Sequence, residues 1–156
     1  MANHIFGLAA VAAVVIGWTG TTSRAPSAAR YVARMTGAQE TPPNNTKAKG
    51  TASFTIDGTK LEFTIEVHDL TGPPTAAHIH VGAPGASGPP VYTFTIKPGA
   101  GTSGTISEGS LDLTKDASAG VSGDSLKTLL NNGHAYVNVH TKNFPGGETR
   151  GEVMKR

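Results

Sequence analysis

The residues of this 156-residue chain best suited to chemistry are its six histidines, because it has no cysteine and only 11 Asp and Glu. Three of them are spaced for a joint role. His78 and His80 stand two apart in Ala77-His78-Ile79-His80-Val81, and His140 follows Tyr136-Val137-Asn138-Val139. Side chains of a strand alternate between faces, so the apolar Ala77, Ile79 and Val81 claim the core and both imidazoles fall on the opposite side. The same alternation sends Val137 and Val139 inward and leaves Asn138 and His140 outside. If the two strands are neighbours, three imidazoles share a non-core surface. That set suits Zn(II) or Cu(II) with an open fourth position. The structural alternative is that His78 and His80 hydrogen-bond the adjoining Gly/Pro-rich loop, residues 82–90, and hold its shape. His68 falls on a polar face with Glu62 and Glu66 and reads as solvated. His134 follows Gly133 in a loop, within reach of the site but outside the expected set, and His4 belongs to an apolar leader.

With thiolates absent, and only Met35 and Met154 outside the leader as thioethers, a soft Cu(I) site is disfavoured. Copper as Cu(II) is expected ahead of zinc, since an exported protein meets copper with no cytosolic thiol pool competing. Other chemistry is thin, and no turnover is expected. Glu148 and Arg150, two apart, read as partners in an ion pair rather than an acid and a base. No serine sits in a nucleophile elbow, and no Lys-Ser/Thr follows the glycines of residues 82–88 as a phosphate loop needs. Tyr31, Tyr92 and Tyr136 are scattered, without an evident stacking platform. A net charge of +2 gives no footprint for nucleic acid, even with a pI near 9.0.

The elements that must position these residues are short. Twenty Gly and ten Pro favour strands joined by tight turns over helices. Residues 5–18 are apolar on every face but short of the roughly 20 needed to span a bilayer. With small residues at Ser27-Ala28-Ala29, they predict a signal peptide over 1–29, leaving a domain at 30–156. No Lys or Arg precedes Ile5. The alternatives are a retained anchor, the only route to a membrane, and a buried N-terminal helix. Strands are expected at 31–35, 52–56, 61–67, 76–81, 91–96, 135–141 and 148–153, with weaker ones at 105–107 and 111–113. Asp57-Gly58 predicts a two-residue hairpin turn, placing Phe54 opposite Leu61 and Ala52 opposite Phe63. One short helix is expected over 124–132, capped by Ser122 or Asp124 and stopped by Gly133. Seven or eight short strands with frequent turns indicate an all-β, antiparallel β-sandwich or barrel.

Three stretches carry a family resemblance. They are Gly37-Ala38-Gln39-Glu40-Thr41-Pro42-Pro43, then Ala77-His78-Ile79-His80-Val81-Gly82-Ala83-Pro84-Gly85, and Ala135-Tyr136-Val137-Asn138-Val139-His140-Thr141 continuing to Pro145-Gly146-Gly147-Glu148-Thr149-Arg150-Gly151. Together they resemble the CHRD domain, the module named from chordin and found alone in exported microbial proteins, from about Tyr31 to Val153. The resemblance implies an all-β extracytoplasmic module, periplasmic or extracellular, in the immunoglobulin-like or Cu,Zn superoxide dismutase-like class of sandwiches. It does not settle an activity. The His-x-His on a strand is also similar, at the level of motif, to the copper strand of Cu,Zn superoxide dismutase. That family's disulfide and its loop of zinc-binding His and Asp have no counterpart here. The expectation is metal binding through His78, His80 and His140. The rival is an interaction module meeting an envelope or extracellular protein, and a copper-dependent redox enzyme comes third.

Overall fold

The computed structural model describes residues 28–118 and 121–156, so residues 1–27 of the leader expected over 1–29 lie outside the described residues. Eight strands form one sheet: β1 (Ala29–Thr36), β2 (Lys49–Asp57), β3 (Lys60–His68), β4 (Pro74–Val81), β5 (Pro90–Thr93), β6 (Gly104–Asp112), β9 (Ala135–Thr141) and β10 (Thr149–Lys155). Two short strands, β7 (Asp116–Ser118) and β8 (Val121–Ser122), pair separately, and a helix, α1 (Gly123–Asn132), follows them. Every pairing is antiparallel, and the order is β5-β4-β9-β10-β1-β2-β3-β6. The first and last strands, β1 and β10, therefore form the middle pair. The fold is the all-β, antiparallel class read from the sequence, drawn as one curled sheet approaching a barrel.

Alternation does the shaping. In β3, Leu61, Phe63, Ile65 and Val67 are buried while every residue between them is exposed. Fully burying such a side chain is worth about 1.5–3 kcal/mol, so this strand has one stable facing. The curl brings β5 over β2 and β3: the Phe94 ring just beyond β5 lies 5.0 Å from Phe63 and 6.3 Å from Phe54. The strand expected over 91–96 pairs with β4 only as far as Thr93. Phe94 N–H still donates to Ala77 O (2.9 Å), but Lys97 N–H donates to Ile106 O of β6 (2.8 Å) and Ser107 Oγ to Thr95 O (2.7 Å). Residues 94–97 thus cross from one edge of the sheet to the other and bridge it.

Three details differ from the expected pattern. The β2–β3 turn uses Gly58-Thr59, with Asp57 opposite Lys60, so Phe54 faces Phe63 and Ile56 faces Leu61. Gly58 at φ +58° supplies the positive φ that a tight hairpin needs at its first central position. The shift is two residues, so the buried face is unchanged. The weak strands at 105–107 and 111–113 are one continuous β6, held by pairing along β3 despite its glycines. The β7–β8 pair was not anticipated. The helix begins and ends as expected: Ser122 Oγ accepts from Ser125 N–H, Gly133 takes φ +68°, and Leu126 and Leu130 enter the core.

Candidate metal centre on the outer face

β4 and β9 are neighbours, and their register sets Ala76 beside His140, His78 beside Asn138 and His80 beside Tyr136. Across β9, Asn138 meets Arg150 and Tyr136 meets Glu152 on β10. Alternation puts all of these on the face away from the core, as read for the histidines. The three imidazoles converge: their ligand nitrogens lie within 4.8 Å of one another. His78 Nδ1 is 3.1 Å from His140 Nε2. Asn138 Oδ1 lies between the rings, 3.1 Å from His80 Nε2 and 3.0 Å from His140 Nε2.

Two loops fix the rings from outside. His80 Nδ1 faces Gly88 O at 2.8 Å and His140 Nδ1 faces Pro145 O at 2.9 Å. A carbonyl only accepts, so each Nδ1 carries the proton and each neutral ring turns its Nε2 lone pair inward. Partial burial pushes the pKa values of His78 and His140 down, and neighbouring imidazoles push the same way. Uncharged rings are the form that ligates metal.

A stack supports this arrangement. The His80 ring lies parallel to Tyr136 (centroids 4.8 Å, 9°), and the Arg150 guanidinium carbon sits 3.6 Å from the Tyr136 centroid. Arg150 is 1% exposed; it donates to Thr41 Oγ1 (3.2 Å), Ala86 O (2.9 Å) and Glu152 Oε1 (2.8 Å). Glu152 Oε1 also accepts Gly85 N–H, and Tyr136 Oη exchanges hydrogen bonds with the Gly88 backbone. The 82–90 loop is therefore clamped to the sheet at three residues, Gly85, Ala86 and Gly88. Gly88 is required by close approach: a Cβ there would run into the Val81 carbonyl and displace the oxygen that orients His80.

Two expectations are corrected here. Glu148 and Arg150 do not face each other. Glu148 precedes β10 and is fully buried, accepting from Thr46 Oγ1 (2.8 Å), Thr71 N–H (2.9 Å), Thr71 Oγ1 (3.0 Å) and Thr141 Oγ1 (2.6 Å). Arg150 pairs with Glu152 instead. Tyr136, taken as isolated, is the centre of a stack. The alternation that placed Asn138 and His140 outward also places Tyr136 there, so the signal was present. Glu40, in the first of the three motifs, is a further buried carboxyl. Burial raises its pKa to about 7 against the pull of Arg150, and its Oε1 has no hydrogen-bond partner. His68 lies exposed, 3.6 Å from Glu66, and His134 is exposed outside the trio, lending only its backbone carbonyl to Gly82 N–H.

Curled antiparallel sheet, clamped loop and outward polar face define a small all-β module whose conspicuous chemistry sits outside its core. The family model for the CHRD domain matches residues 31–153, and the chain belongs to that family. No curated protein and no solved structure matches it. Among the described residues no helix is long and apolar enough to cross a membrane.

Proposed function

We propose that this CHRD-domain protein is exported and binds a divalent transition metal, Cu(II) ahead of Zn(II), through His78, His80 and His140, without turnover. The observation carrying the reading is the convergence of three imidazoles, two of which, His80 and His140, have their Nε2 atoms turned inward by loop carbonyls. Metal-ligating histidines characteristically donate their other N–H to a carbonyl or carboxylate, which fixes the tautomer. Neutral imidazoles suit both ions, and the order of intrinsic affinities places Cu(II) first. Tetrahedral ligands at about 2.0–2.1 Å lie about 3.3 Å apart, so the trio, now within 4.8 Å, closes on an ion when its widest pair draws together by about 1.5 Å.

Titration of the protein with Cu(II) and with Zn(II) by calorimetry tests this, beside a His78→Ala/His80→Ala double variant whose fold is followed by circular dichroism. One tight equivalent in the parent, lost in a folded variant, is the expected result. Equal or negligible binding by both would sink the reading. The same carbonyl bonds favour a second reading, in which the histidines only pin the 82–90 and 142–147 loops and the outer face meets an extracellular protein. There the double variant changes loop order with no metal involved.

A further inference from the structure

We infer that Asn138 completes the centre as its fourth ligand, through Oδ1. The inference rests on the metal reading above and extends it, because the three histidines by themselves leave the fourth position to solvent.

His80 and His140 each hold their single ring proton on Nδ1, against Gly88 O and Pro145 O. Their Nε2 atoms are therefore lone pairs. Asn138 Oδ1 lies 3.1 Å from one and 3.0 Å from the other. An amide oxygen also only accepts, so with the amide in this orientation and both rings neutral no hydrogen bond holds these three atoms together. A cation shared among them would. The two contacts to Oδ1 are as short as those between neighbouring ligand atoms around one small ion, while His78 Nδ1, 3.1 Å from His140 Nε2, is within reach of the same lone pair. Asn138 is suited to the task by position: it is 4% exposed and lies on β9, between His78 of β4 and Arg150 of β10. Three nitrogens and one neutral oxygen leave the charge of the ion uncompensated, with the Arg150 cation at the next register position. A carboxylate in place of the amide is thus expected to tighten binding.

The rival is an amide turned the other way, its NH2 donating to the free imidazoles and competing with metal. The two arrangements predict opposite signs. Calorimetric titration with Cu(II) and Zn(II) is made on the full chain as the parent, Asn138→Asp and Asn138→Ala, with circular dichroism to establish folding and the electron paramagnetic resonance of bound Cu(II) as a second readout. The expected result is binding about tenfold or more tighter in the Asp variant and about tenfold or more weaker in the Ala variant, with an altered copper spectrum in both. An Ala variant that binds as tightly as the parent or tighter overturns the assignment of Asn138, as does an Asp variant that gains nothing. Should the Ala variant not fold, the Asp arm decides alone. A parent that binds neither ion overturns the metal reading itself, a result the Asn138 variants cannot produce.

Discussion

Replacement of Glu148 by alanine is expected to lower the stability of the domain by about 3–5 kcal/mol, with the fold of any surviving native protein unchanged. The carboxylate is fully buried without a cation, and four donors aim at it from three separate parts of the chain: Thr46, Thr71 twice, and Thr141. A hydrogen bond to a charged group is worth about 1.5–3 kcal/mol, and truncation leaves three hydroxyls and one N–H turned toward a void. The loss falls short of the simple total because the threonines turn and water enters. Glu148→Gln keeps the volume but presents an NH2 to donors, so it recovers only part of the loss. Urea unfolding reads both variants as shifts in midpoint at constant slope. A change under about 1 kcal/mol for Glu148→Ala would show that the residue is dispensable to the fold.

Glu40 is expected to behave in the opposite way. Its carboxyl is also buried, but Oε1 is unpartnered and its pKa is raised from 4.5 to about 7. Between those values the folded protein keeps a proton that the unfolded chain releases, so this contribution is full below about pH 4.5 and is lost as the pH rises through 7. Glu40→Gln removes the ionisation and with it the loss. The variant should match the parent near pH 4.5 and exceed it by about 3 kcal/mol at pH 8. Comparing variant with parent at each pH cancels the histidines, whose lowered pKa values work the other way, costing stability as the pH falls below 6.5. A Glu40→Gln variant that is less stable than the parent at pH 8 would mean that attraction to Arg150 outweighs burial.

The fold class was legible because alternation is a local property. Leu61, Phe63, Ile65 and Val67 announce a half-buried strand whatever lies beside it, and Ala77 with Ile79 announces which way His78 and His80 point. The pairing of β4 with β9, on which the histidine cluster depends, is a long-range event that sequence allowed but did not dictate. Glu148 and Arg150 were misread for a related reason. Parity gives a shared face only inside a strand, and β10 begins at Thr149, after the turn has already rotated the Glu148 side chain away. The two-residue slip in the β2–β3 hairpin has another cause: Asp57-Gly58 and Gly58-Thr59 both offer a glycine to the turn, and both keep the same residues inside. The outward facing of Tyr136 was legible from the same alternation, but its stack with His80 and Arg150 was not, because stacking across strands depends on register, which composition does not carry.

The seam between β1 and β10 has a consequence for how the molecule comes into being. Tyr31 pairs with Lys155 and Arg156 N–H reaches Arg30 O, so the middle of the sheet is assembled from the opening and closing words of the domain. Within the sheet the two groups β2-β3-β6 and β5-β4-β9 are joined only through this central pair, while residues 94–97 bridge their outer edges. Such wiring gives the sheet a central pairing of very high sequence separation, which makes acquisition of the native state slow by the standards of local folds.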